Sequence, residues 1–119
     1  MKIIISSSLI LLFLDTIFIY LMSSVFTSQV FDVQQSPLRI NIVGAILSYV
    51  FLIFGLNYFI LQKHKSVLDA FILGIVIYGV YETTSLALLR KWRFTTVIID
   101  TLWGGLLFAL TTYFTYFLT

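Results

Sequence analysis

Residues 66–118 read SVLDAFILGIVIYGVYETTSLALLRKWRFTTVIIDTLWGGLLFALTTYFTYFL, two long apolar runs flanking one short basic turn, Arg90-Lys91-Trp92-Arg93. A helix needs about 20 predominantly apolar residues to cross the hydrocarbon layer of a bilayer, so each run predicts one crossing and the turn predicts a hairpin. Each arm carries a carboxyl group inside its apolar part, Glu82 before the turn and Asp100 after it. An acid at bilayer depth costs roughly 2.5–3.5 kcal/mol on insertion scales, so it normally has a partner or a task.

The rest of the chain has the same character. It is 61% hydrophobic and 10% charged, with a mean hydropathy of +1.08. A soluble domain is only about 45–50% apolar. The reading is an all-α, polytopic transmembrane four-helix bundle, an integral multi-pass protein of the lipid bilayer. It forms one transmembrane domain over residues 1–119, with crossings at about 3–26, 37–61, 66–89 and 95–118. The first crossing contains the run Leu9-Ile10-Leu11-Leu12-Phe13-Leu14 leading into Asp15. Lys2 before an apolar run resembles a signal peptide, but Asp15 interrupts it and no small-x-small cleavage site follows, so a retained first helix is expected.

Between the crossings, Thr27-Ser28-Gln29 and Asp32-Val33-Gln34-Gln35-Ser36-Pro37 predict a polar loop, with Ser36 as N-cap and Pro37 at the first helical position. Lys63-His64-Lys65 closes the second crossing, and Ser66 with Asp69 resembles a capping box opening the third. Asp69 is read as a first-turn acid complementing the helix dipole, and His64 as a solvated interfacial residue. Tyr58, Phe59, Trp92, Tyr113, Phe114, Tyr116 and Phe117 fit an interfacial aromatic belt. Lys2, Lys63 and Lys65 fall at one end of such a bundle, and Arg39, Arg90, Lys91 and Arg93 at the other. This near balance leaves the positive-inside rule little to use. We place the Arg90–Arg93 turn at the cytoplasm and both termini outside; insertion in both orientations, giving antiparallel dimers, is the alternative.

Composition also excludes. The net charge is only +2 and the basic residues lie at segment ends, which suits interface anchoring and not a nucleic-acid surface. With no cysteine there are no disulfides, thiolate metal sites, thiol nucleophiles or c-type haem attachment. No Walker loop, dinucleotide fingerprint, HExxH or nucleophile elbow occurs, so neither catalytic residues nor a metal or other cofactor is expected. Two carboxylates and tyrosines nonetheless suffice for proton transfer.

The constellation that remains lies around the hairpin. Glu82 sits about two turns before Arg90 and Asp100 about two turns after Arg93, so an antiparallel pair places them at similar depth. Two facing acids do not both ionise easily, and one shared proton is expected. Asp15 is a candidate third member. At helical spacing Tyr78 and Ser85 share a face with Glu82, and Trp103 and Gly104 share one with Asp100, supplying hydroxyl and indole donors. Gly74, Gly79, Gly104 and Gly105 allow helix backbones to approach closely. Asn41, Ser48 and Asn57 are spaced to turn polar groups inward on the second crossing, bonding across helices or lining a path. The competing account pairs Glu82 with Arg90, and Asp100 with Arg93 or Lys91, so that the acids merely pin the hairpin.

The run Tyr78-Gly79-Val80-Tyr81-Glu82-Thr83-Thr84-Ser85-Leu86-Ala87-Leu88-Leu89-Arg90-Lys91-Trp92, followed by Asp100-Thr101-Leu102-Trp103-Gly104-Gly105, resembles the four-helix membrane proteins of the family called domain of unknown function 2177. That family shows a tyrosine pair, an acid followed by Thr-Asn, a basic-Trp end to the third helix and Asp-x-x-Trp-Gly in the fourth. Leu14-Asp15 looks like its first-helix acid. Glu82 stands where aspartate is expected and Thr84-Ser85 where Thr-Asn is. The resemblance implies the fold and the choice of residues, and no activity.

Together these readings give a small transport or conduction protein. Asp15, Glu82 and Asp100 are its proton or cation site, supported by Tyr78, Tyr81, Ser85, Arg90, Trp92, Trp103, Asn41 and Asn57. A homo-oligomer is expected, because four helices barely enclose a polar path. The alternative is a noncatalytic assembly or small-molecule or lipid-binding protein whose acids are structural.

Overall fold

In a bilayer every backbone polar group must find its partner within the protein, and the chain answers this with helices throughout. The computed structural model describes residues 1–35 and 41–119. Its helices are α1 (Lys2–Leu21), α2 (Ser23–Gln34), α3 (Ile42–Leu56, continued by a π-helical turn, Asn57–Leu61), α4 (Val67–Leu88) and α5 (Phe94–Leu118). Four stretches are long and apolar enough to span a membrane: Lys2–Leu21, Ile42–Leu61, Val67–Leu88 and Phe94–Leu118. This is an all-α bundle of an integral, multi-pass membrane protein. Many large apolar side chains point outward, including Phe13, Phe51, Val80 and Phe94, as a lipid solvent allows.

The segment after the first crossing differs from the sequence expectation. α1 stops at Leu21, and after a bend at Met22 the chain resumes helix as α2 through Gln34, where a loop was expected from residue 27. Gln35, in the left-handed conformation (φ 60°), ends it. The polar residues concealed a helical repeat, because Phe26, Gln29, Val30 and Val33 recur at i, i+3, i+4 and i+7 and turn inward. Ser36, Pro37 and Arg39, expected as a cap, a first helical residue and an interfacial base, lie outside the described residues. α3 is capped instead by Asn41, whose side-chain oxygen accepts the Gly44 N–H at 3.1 Å.

Asn57 accepts the Gln62 N–H at 2.9 Å across five residues, which widens the end of α3 into the π turn. His64 adopts φ 51° in the following turn and stacks on the Tyr116 ring. The Ser66 hydroxyl then caps α4 by accepting the Asp69 N–H at 3.0 Å.

α4 and α5 form the tightest helix pair; α1 packs on α5 and on α3. Glycine makes the α4–α5 contact: a Cβ on Gly74 would collide with the Gly104 carbonyl, and one on Gly104 with the Tyr78 ring. The alternation of directions gathers both termini and the 62–66 turn at one end of the bundle. Tyr116 accordingly donates to the Lys65 carbonyl at 2.7 Å, and Asn57 to the Ser7 hydroxyl at 3.1 Å. Between mid-bundle and that end lies the apolar core, with Leu11, Leu56, Leu61, Leu107 and Phe108 fully buried. The buried acids collect at the other end.

Candidate functional site

Asp15 lies six residues before the end of α1, Glu82 six before the end of α4, and Asp100 six after the start of α5. At 1.5 Å per residue each is about 9 Å inside the same end of the bundle. The antiparallel alternation of α1, α4 and α5 therefore brings three acids, widely separated in sequence, to one level.

Their partners are neutral donors. Asp15, 7% exposed, accepts the Tyr49 hydroxyl at 2.5 Å and the Trp103 indole N–H at 2.9 Å, which ties α1 to α3 and to α5. Phe18, one turn on from Asp15, stacks on the Trp103 ring at a centroid distance of 4.6 Å and a 4° tilt, fixing the indole that reaches the carboxylate. Glu82, 1% exposed, accepts the Trp92 indole N–H at 3.0 Å. The partly buried Asp100 carboxyl group lines the same crevice as that of Glu82.

All three acids line one crevice of about 250 Å³, walled by Phe18, Phe26 and Trp92 and by the rings of Tyr78 and Tyr81. A water's share of liquid volume is about 30 Å³, so the space would hold about eight. A second groove of about 380 Å³ runs between α3 and α4, lined by Ser48, Phe51, Leu52 and Ile77. Tyr78, Tyr81 and Asp100 line both spaces and so stand between them.

α2 closes the loop end of the crevice with Phe26 and Val30, and one buried side chain pins it there. Gln29 donates to the Lys91 carbonyl at 2.8 Å, while its amide oxygen accepts the Arg93 N–H at 2.9 Å and the Thr96 hydroxyl at 3.0 Å. That satisfies the backbone of a turn in which Lys91 holds φ 63°. Outside it, Arg93 pairs with Asp32 and donates to the Ser28 hydroxyl at 3.4 Å.

These contacts correct several expectations. Among the described residues no ion pair joins Asp15, Glu82 or Asp100 to Arg90, Lys91 or Arg93; Arg93 turns to Asp32 instead, and Arg90 is exposed. Trp103 serves Asp15 and not its helical neighbour Asp100, because the indole points across to α1. Trp92 reaches in to Glu82, beyond the belt position read from its sequence neighbours. Ser85 is buried on α4 one turn beyond Tyr81 and does not itself line the crevice. Asn41 is an exposed helix cap, Ser48 bonds the Gly44 carbonyl of its own helix, and Asn57 bonds α1 in the opposite half of the bundle; none of the three touches the carboxyl groups.

Tyr49, Gln29 and Phe18 are the residues that sequence reasoning missed. Tyr49 had a signal, since Ser48 and Tyr49 are the hydroxyl-bearing residues of the otherwise apolar stretch Ile42–Leu56. Gln29 had none beyond the concealed repeat of α2. Among the described residues no three His, Asp or Glu side chains converge as ligands for one metal ion.

Compared with known families, residues 1–117 match the model of a family described as "Predicted membrane protein (DUF2177)". The chain belongs to that family. The match runs through every residue of the crevice, α2 and both hairpin arms included. No curated protein and no solved structure matches the chain.

Proposed function

We propose that the crevice is a proton- or cation-handling site and that the protein is a small membrane transporter built on it. One observation carries this reading: three carboxyl groups from three helices line one crevice at one depth, Asp15 and Glu82 held by neutral donors and, among the described residues, none of the three paired with a base. Acids pinned only for stability are neutralised most cheaply by an adjacent Lys or Arg, and Arg90, Lys91 and Arg93 stand in the turn at this end of the bundle. Keeping them away leaves negative charge for a proton or cation to balance. Two neighbouring buried carboxyl groups do not both ionise easily, so the Glu82–Asp100 pair is suited to releasing a proton as a cation arrives and taking one back as it leaves.

The apolar core beyond the crevice, Leu11, Leu107 and Phe108, favours a carrier exposed to one side at a time over an open pore. Asp15 has a second role. Its two bonds tie α1 to α3 and α5, which supports a structural duty for that acid beside its place in the crevice. We place the working unit in a homo-oligomer, because four helices barely enclose a polar path.

The test is flux in proteoliposomes carrying an internal pH indicator. Wild type is expected to move protons down an imposed gradient, and Glu82→Gln and Asp100→Asn to abolish this while retaining helical content and melting midpoint. Wild-type vesicles no leakier than empty ones under proton, sodium and potassium gradients would refute the reading.

A further inference from the structure

We infer that the cargo of this site is a hydrophobic organic ammonium ion, seated with its charged head against Asp100 and its apolar body in the groove between α3 and α4. The inference rests on the carboxyl site proposed above and names what it takes. Two spaces of different chemistry meet at Asp100. The crevice side holds carboxyl groups and indoles, whereas the groove side is hydrocarbon apart from Ser48, with Phe51, Leu52 and Ile77 along its walls.

The groove opens to lipid, since Phe51 is 71% and Tyr81 62% exposed at its rim. A hydrated inorganic ion entering there would surrender its water shell to hydrocarbon, which cannot replace it. A cation with its own apolar body makes the same passage while keeping that body against apolar walls. Further in it meets the Asp100 carboxyl group, and the Tyr78 and Tyr81 side chains line the same groove, where aromatic faces attract an ammonium by about 0.5–2 kcal/mol each.

Size and ligand geometry agree. About 380 Å³ lies within the ~300–1,000 Å³ range of small-molecule sites and far exceeds what a bare metal ion needs. The acidic side chains of the described residues also do not converge as a metal-ligand set. What the groove offers is one negative group in an apolar slot beside aromatic rings.

The chain carries its own reporter. Its two tryptophans, Trp92 and Trp103, both donate to carboxyl groups of the crevice, so their emission reads the site directly. The full chain in lipid nanodiscs is titrated with benzyltrimethylammonium, with its uncharged analogue neopentylbenzene and with sodium chloride, empty nanodiscs serving as blanks. The expected result is a saturable change with the quaternary cation alone, weakened about tenfold or more in Asp100→Asn. Ser48→Phe, at an exposed position on the groove, is expected to weaken it as well while leaving the melting midpoint unchanged.

Equal saturation by neopentylbenzene, or an unchanged affinity in folded Asp100→Asn, would overturn the inference. If no organic cation gives a saturable signal while Glu82→Gln still abolishes proton flux, the substrate class is wrong and the transporter reading stands. If benzyltrimethylammonium binds through Asp100 but no carboxyl variant alters flux, the binding site stands and transport fails.

Discussion

Asp15 is held from two sides, by the Tyr49 hydroxyl and the Trp103 indole, and each bond crosses to a different helix. A buried carboxylate that loses one donor keeps its desolvation cost without the compensating bond. Trp103→Phe keeps an aromatic ring beside Phe18 but removes the N–H together with part of the ring system, so we expect it to lower stability by about 1–3 kcal/mol, read as a drop in melting midpoint in detergent. Adding Asp15→Leu to that variant is expected to recover part of the loss, because the orphaned acid is then gone. Asp15 and Trp103 were both visible in sequence as oddities in apolar helices. Their partnership was not, since 88 residues separate them and Asp100 stands closer along the chain.

At the scale of elements, the hairpin and α2 obey different physics. α4 and α5 are fitted at glycine, where Gly74 leaves no room for a Cβ beside the Gly104 backbone, whereas Gly79 faces the Thr101 methyl at an ordinary 3.6 Å. Gly74→Ala is therefore expected to cost about 1–3 kcal/mol by overpacking. Gly79→Ala is expected to be neutral or stabilising by up to about 1 kcal/mol through helix propensity. Thermal melts of the two single variants give the comparison. α2, by contrast, hangs on one buried amide. Gln29→Leu removes three bonds to the 91–96 segment, and we expect amide exchange across residues 23–34 to quicken sharply, with Trp92 emission shifting as its end of the crevice loosens. Asp32→Ala breaks only the exposed pair with Arg93 and is expected to cost at most about 1 kcal/mol. The glycine contacts were legible as small residues at helical spacing; α2 was not, because its inward face mixes Gln29 with apolar residues and so lacks a clean amphipathic stripe.

For the whole molecule, the confinement of the buried acids to one end is the feature that governs access. The acid crevice lies at the end bearing the Arg90–Arg93 turn, beneath α2, and the core around Leu107 and Phe108 lies between it and the termini. The absence of cysteine gives a clean background for labelling. Ile19→Cys, on the crevice wall, is expected to react with a membrane-impermeant thiol reagent from the same side as Lys91→Cys. Leu107→Cys is expected to resist from either side, being fully buried. Labelling of Ile19→Cys from the opposite side would contradict a crevice placed at the basic-turn end.

The sequence by itself determined the membrane class, the four crossings and the shared depth of Glu82 and Asp100. Hydropathy is a local property, and a short turn between antiparallel helices converts residue counts into depth. Only the tertiary structure decided which faces meet: Asp15 with Tyr49 and Trp103, Glu82 with Trp92, Gln29 with the basic turn, and Arg93 with Asp32. Helices solvated by lipid are apolar all round, so no stripe in the sequence records their rotation. That rotation is fixed by glycine contacts and by the pairing of a few buried polar groups, which exist only once the bundle has closed.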